Sequence, residues 1–493
     1  MKTDNKALSL HSAIIDKVKG SGMNVDLDEA LEICGAGKYQ VFHCALMVAI
    51  LGAAMLEMIG CSFILPAAAC DLDLSNSIKG IITSIPNIGV IITAPFWGRA
   101  ADTFGRKPVL LFTSLVSGII CLTAAFMPGL LSFALCKLLG SLFLSCPSSL
   151  GFAYTGEMIP KRRRDLALMI CNAFLMFVAS LCPIIAWGVL SYDWWNSPLR
   201  LRQWRVLTVM YVAPLILAAL WLTQAQESPK FLMMKGKHQD ALDVLKHIYA
   251  SNSGCSKDNF CVRSLKISEE DSVKSSSDGN CEVGNKIMAN SVFALLRPPH
   301  VNWLALTGFL MFGLFSLLNG LFLFTPDTVN KVMTYPSDKS VTICMLMNQS
   351  GNSTSSDNCV DMISYRTFSI TVVTSLINGI LVMLVSLSPL TKKTSLIGMF
   401  VLVGVACLVS AITTNRIIAG VSMSALQLTA LGIGPLTAYS VELFPTSLRA
   451  TAVGAVLMFG RIGSVVGANV SGIFLAGACT AIFYIFSALL FRE

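Results

Sequence analysis

One pattern constrains this chain more than any other: apolar blocks of about 20 residues, each long enough to cross a bilayer core as a helix, recur along most of its length. Short polar joints separate them. Inside hydrocarbon every backbone N–H and C=O must find an internal partner, so such blocks form helices and not loops or open sheet edges. Charged residues are 13% of the 493, roughly half the share of about 25% usual in soluble proteins. That deficit excludes a cytosolic enzyme, a disulfide-stapled secreted domain and a disordered scaffold. The 36 Lys and Arg residues are scattered among the joints, and without a continuous basic face a nucleic-acid partner is excluded too.

Twelve blocks can be placed, near 44–66, 80–98, 108–127, 130–154, 165–190 and 204–224, then near 301–325, 366–388, 394–412, 415–439, 450–472 and 474–491. The reading is an all-α membrane protein with twelve transmembrane helices in two pseudo-symmetric six-helix bundles. It divides into a cytosolic N-terminal segment (1–43), a first bundle (44–224), a cytosolic linker (225–300) and a second bundle (301–493). Residues 1–40 lack an apolar core, so the first span itself is expected to act as the targeting signal. Orientation follows from Lys and Arg, which accumulate in cytosolic joints. With both termini in the cytosol, that side holds 26 of the 36 basic residues and the opposite side 8, while Lys137 and Arg461 fall inside spans. Reversing the orientation reverses this bias.

Within the linker, Ala241, Leu242, Leu245, Ile248 and Tyr249 recur at helical spacing and predict a short amphipathic helix at the membrane surface. Residues 267–286 are rich in Ser and Asp, lack periodicity and read as a flexible connection. The outward joint 326–365 holds Cys344 and Cys359 beside two sequons, Asn348-Gln-Ser and Asn352-Ser-Thr. A Cys344–Cys359 disulfide closes a loop of about 15 residues and contributes roughly 3 kcal/mol. With N-glycans at Asn348 and Asn352 it suits an oxidising, non-cytosolic side. Two unpaired thiols are the alternative.

The halves repeat one another. Glu157, Pro160 and Arg164 share their spacing with Glu442, Pro445 and Arg449 at an offset of 285 residues. Arg106 and Lys107 map onto Lys392 and Lys393 at an offset of 286, and both elements recur on one membrane side, the arrangement of parallel repeats. The loop Gly98-Arg-Ala-Ala-Asp102-Thr-Phe-Gly105-Arg106-Lys107 resembles the signature loop of the major facilitator superfamily. Gln203-Trp204-Arg205, Glu227-Ser-Pro-Lys230 and the two Glu-Pro-Arg joints resemble the group of sugar porters and organic ion transporters. Glu57-Met-Ile-Gly60, Phe63-Ile-Leu-Pro66 and Trp187 are most similar to the synaptic vesicle glycoprotein 2 branch.

Glu57 lies mid-way along the first span, where a charge costs about 2.5–3.5 kcal/mol on insertion scales. Lys137 in the fourth span sits at a depth within roughly 5 Å of it, reckoned at 1.5 Å per residue. Two roles fit. Either Glu57 binds a proton or a cationic group while Lys137 tunes its charge, or the two form a static ion pair between spans. Trp187 offers a flat face to a ligand or to packing. Asn319, Asn378, Gln427 and Thr437 are candidate cavity contacts, and equally candidate interhelical hydrogen bonds. Arg461 reads as structural. The resemblance implies that Gly98, Asp102, Gly105, Arg106, Lys107, Glu157, Arg164, Glu227, Glu442 and Arg449 form a cytosolic gate that latches the two halves.

The chain shows no metal-ligand spacing, phosphate-cradling glycine loop or nucleophile–base–acid set, so neither an enzyme nor a cofactor is expected. The resemblance implies a monomeric transporter that moves a small organic solute, a cation, zwitterion or sugar-like molecule, by alternating access, with protons as a candidate coupling ion. Its membrane would be the plasma membrane or a secretory or synaptic-type vesicle membrane. A transport-silent glycoprotein acting as receptor or trafficking partner is the other reading.

Overall fold

The computed structural model describes residues 24–192, 201–266, 295–334, 342–352, 364–388, 392–444 and 448–492. Six helices build the first bundle: α1 (Lys38–Ala67), α2 (Asn76–Phe104), α3 (Arg106–Ala124), α4 (Leu130–Met158), α5 (Lys161–Ser180, resumed by Cys182–Leu190) and α6 (Gln203–Leu222). Six more build the second: α7 (His300–Asn319, continued by Phe322–Phe324 and Thr325–Thr334), α8 (Tyr365–Leu387), α9 (Lys392–Ile412), α10 (Arg416–Ala425, Leu426–Gly432 and Ile433–Leu443), α11 (Arg449–Gly477) and α12 (Cys479–Arg492).

Among the described residues, ten helices are long and apolar enough to span a bilayer. The other two differ for visible reasons. Helix α5 opens on Lys161-Arg162-Arg163-Arg164 and breaks just ahead of Pro183, while α12 has 14 residues. Side chains cap several starts: Ser75 accepts from Ile78 N, Ser364 from Thr367 N, and Asn415 from Ile417 N and Ile418 N. Each of these satisfies a donor that the first helical turn leaves free.

Helix α1 begins at Lys38, earlier than the apolar block alone suggests, because Tyr39 and His43 are buried against Tyr154 and His247. The segment before it is also structured. Strand β1 (Asn24–Asp26) pairs in parallel with β2 (Ser264–Lys266), and a helix follows at Leu27–Cys34. The helix expected in the linker is His238–Ser253. Its apolar face, Ala241, Leu242, Leu245 and Ile248, is buried against this N-terminal unit and the ends of the first bundle. Asn252 ties the parts together: its amide donates to Cys34 O, Gly35 O and Gln40, and its oxygen accepts from Tyr39 N. Residues 267–286 lie outside the described residues.

The end of the bundles carrying Gly105 and Arg106 is termed the basic end, and the one carrying Lys79 and Asp327 the opposite end. The bundles meet along α2–α11 and α5–α8, with the last part of α7 also reaching α1. At the opposite end α2 and α11 touch backbone to backbone. A Cβ on Gly80 would lie 2.7 Å from Ala468 O, and one on Gly472 would lie 2.8 Å from Asn76 O. Small residues permit such approach, which drives helix association in lipid through van der Waals packing. Towards the basic end, Gly98 of α2 and Gly454 of α11 have open space around them, with nothing within 4 Å of where a Cβ would sit.

Candidate functional site: a seam between two bundles

Where α1 meets the second bundle, a small pocket opens on the seam. Ser62 and Phe63 of α1 and Pro183 at the α5 break line one wall, and Thr325, Thr371 and Gln427 of α7, α8 and α10 line the other. Pro183, Thr325 and Gln427 lie at the breaks in α5, α7 and α10. Gln427 Oε1 is buried without a hydrogen-bond partner among the described residues, a costly state unless a visiting donor or water fills it. Asn378 stands behind this wall, donating to Ser424 O at 2.9 Å.

The other residues singled out from sequence lie elsewhere. Glu57 and Lys137 form an ion pair, both at most 3% exposed, inside the first bundle beside Cys121 of α3. Glu57 Oε2 is left without a partner among the described residues. The pair does not line the cavity, which begins with Ile59, two residues along α1. Trp187 stacks edge-on against Tyr365 of α8 at 5.8 Å, an inter-bundle contact. Asn319 donates to Ser464 within the second bundle, and the Thr437 hydroxyl donates to its own helix at Ile433 O. Arg461 reaches across the seam to Asn87 Oδ1 at 3.2 Å and lies over the Phe315 ring.

At the basic end the motif residues make a dense network. Arg106 donates through Nε and NH2 to Glu157 at 3.2–3.4 Å, through NH1 to Ala101 O, and pairs with Asp102 at 2.7 Å. Glu227 accepts from the backbone N–H groups of Arg106, Lys107 and Ser228 at 2.8–3.3 Å, and Lys107 Nζ donates to Thr223 O. Gly105, at φ +112°, is needed there: a Cβ would meet Glu227 Oε2 at 2.4 Å. Burial pushes the Glu227 carboxyl up from the usual range, and these backbone donors offset part of that rise. Arg164 pairs with Asp28 of the N-terminal segment. All these partners belong to the first bundle and its flanking segments. The side chains of Glu442 and Arg449, the proposed counterparts in the second bundle, lie outside the described residues.

The expected Cys344–Cys359 disulfide is corrected. Cys344 is bonded to Cys479, with Cα atoms 5.2 Å apart. Residues after Thr342 fold as a helix, Ile343–Asn352, which buries Cys344 against the start of α12. Spacing along the chain favoured the short loop, whereas packing brings a cysteine 135 residues away into reach. Cys359 lies outside the described residues, as do the side chains of Asn348 and Asn352.

Sequence reasoning missed one cluster. Lys79 Nζ donates to Asp327 Oδ2 at 3.1 Å, joining α2 to α7, and Lys331 reaches the same oxygen at 3.3 Å. All three read as ordinary joint charges. The faint signal was the i, i+4 spacing of Asp327 and Lys331.

These features define a class: a multi-span membrane protein of two six-helix bundles, with a pocket of mixed polar and apolar lining on the seam between them. The chain belongs to the Major Facilitator Superfamily, whose family model matches residues 46–468. It is similar to synaptic vesicle glycoprotein 2C of Rattus norvegicus, 30% identical over 247 residues, covering 49% of this chain and 34% of that protein. Synaptic vesicle glycoprotein 2A of Homo sapiens is 29% identical over 249 residues, with the same coverage. The matched region thus spans about a third of the length of these relatives. The fold is that of the xylose transporter XylE from E. coli in its partially occluded inward open conformation: TM-score 0.63, 17% identity, 92% of this chain and 97% of that one. The human organic anion transporter MFSD10 superposes with TM-score 0.55 at 13% identity, over 92% and 98%.

Proposed function

We propose that this protein carries a small organic solute across its membrane by alternating access, the two bundles rocking about the seam cavity. The observation that carries this reading is Gln427 Oε1, a buried acceptor without a partner among the described residues, in a pocket whose walls come from both bundles. Such a site changes shape whenever the bundles move, which is how binding couples to the transition. The relatives point the same way: one fold neighbour is titled a D-xylose–proton symporter and another a human organic anion transporter. The cargo is an organic cation, a zwitterion or a sugar-like molecule, and Glu57 with Lys137 is the candidate site of proton coupling. The protein works as a monomer in the plasma membrane or a secretory or vesicle membrane, binding no nucleic acid.

The basic end faces the cytosol, in line with the distribution of Lys and Arg. The Cys344–Cys479 bond at the opposite end suits an oxidising side, as do glycans on Asn348 and Asn352. Arg106, Asp102, Glu157 and Glu227 hold the first bundle's inner ends as one body, which meets Glu442 and Arg449 when the cytosolic side closes. Uptake of a solute panel into sealed proteoliposomes, with and without a pH gradient, tests the proposal. A transported solute should lose at least about tenfold in uptake efficiency with Gln427→Ala, and Glu57→Gln should flatten the pH dependence. Absence of uptake for every solute, or a Gln427→Ala variant that transports normally, contradicts it.

A further inference from the structure

We infer that Lys79, Asp327 and Lys331 form a partner-exchange latch that sets which end of the carrier is open. The latch crosses the seam. Lys79 rides on α2 of the first bundle, next to Gly80 at its backbone contact with α11. Asp327 rides on the second: three residues further along, Asn330 accepts from Ser364 N at 2.8 Å and from the Thr367 hydroxyl at 3.2 Å, fastening this segment to the start of α8. The Lys79 and Asp327 side chains are 7% and 11% exposed, and that of Lys331 is 30% exposed.

The second lysine gives the cluster its logic. With the opposite end closed, one carboxylate oxygen serves two ammonium groups. When the bundles part there, Lys79 departs with α2, but Asp327 keeps Lys331, one turn away on its own helix. The carboxylate is never left without a partner, so opening avoids much of the penalty of separating a buried pair. Lys79 is released into water, where an ammonium is well solvated. Lys331 therefore favours the open state and Lys79 the closed one, although both bind the same atom. Solute binding reaches this latch directly, because Phe322, Thr325 and Pro326, just before Asp327 on the same segment, line the cavity.

The latch rests on the two-state part of the alternating-access reading and not on any particular solute. Hydrogen–deuterium exchange of the full chain in lipid nanodiscs, without solute, therefore tests it separately from uptake. Asp327→Asn should raise exchange in peptides spanning 76–90 and 325–334 by about fivefold and lower it in 92–104, as the opposite end opens and the basic end closes. Lys79→Gln should act in the same direction, Lys331→Gln in the other, and the exchanged pair Lys79→Asp with Asp327→Lys should return towards the parent pattern. The inference is overturned if Asp327→Asn raises exchange throughout the chain, which marks a merely structural pair. It is equally overturned if neither end responds, or if the two lysine variants move the balance in the same direction.

Discussion

The two ends of the molecule use similar charges for different tasks. At the basic end Arg106 draws Asp102, Glu157 and Ala101 together, and Glu227 gathers backbone donors from the start of α3, all within one bundle and its flanks. At the opposite end Lys79 and Asp327 form a pair between bundles. An arginine fork bonded several times over makes one rigid body. A lysine–carboxylate pair with a standby lysine makes a contact that can be exchanged. Rigid bundles with a releasable seam are what rocking requires, and the contrast shows that the location of a charge cluster matters more than its composition.

Four perturbations sharpen that contrast. The largest effect should come from Cys479→Ser. Losing a native disulfide costs about 2–4 kcal/mol, so thermal unfolding followed by intrinsic fluorescence should show a clearly lowered midpoint. The bond lies within the second bundle, so the balance between the two ends should stay put. Gly80→Leu comes next. Its side chain collides with Ala468 O and Gly472, and overpacking of about 1–3 kcal/mol acts on the closed seam. Labelling by a membrane-impermeant reagent at the opposite end should rise several-fold. Arg106→Lys removes the fork and should cost roughly 1.5 kcal/mol in stability, with far less effect on the end-to-end balance than Asp327→Asn. A comparable shift in balance would erase the distinction between the ends.

The smallest effect concerns pH. Burial raises Glu227 above its ordinary value of 4.5, so the folded chain holds that proton more tightly than the unfolded one. Its contribution to stability is present at lower pH and is lost as pH rises from about 4.5 through the raised value. Midpoints measured across this range should fall slightly more for the parent than for Glu227→Gln. The reverse trend would mean that the backbone donors outweigh burial.

Much of the fold could be read from the chain because lipid permits few solutions: each apolar block had to be a helix, and the offset of 285 residues tied one half to the other. The interruptions were less legible. The α5 break had Pro183 as its marker, but the break after Asn319 in α7 falls at Gly320, where a Cβ would meet Ser471 and Gly467 O of α11, which is a tertiary fact. Of the candidate cavity residues, Gln427 lines the pocket and Asn378 backs it, while Asn319 and Thr437 are spent on nearby bonds. Composition cannot separate those cases, since each is one polar side chain on an apolar helix. Lys79 and Asp327 were hidden for another reason: 248 residues separate them, and each alone is an unremarkable charge at a helix end.

The account depends on the seam opening and closing at alternate ends. Ser84 and Asn469 already touch across it, at 2.7 Å. Replacing both with cysteine and crosslinking them in proteoliposomes fixes the opposite end shut. Uptake of a solute that the parent carries should then cease and return on reduction, with the reductant leaving the parent unaffected. Undiminished uptake by the crosslinked protein would mean that solute crosses without the bundles parting there.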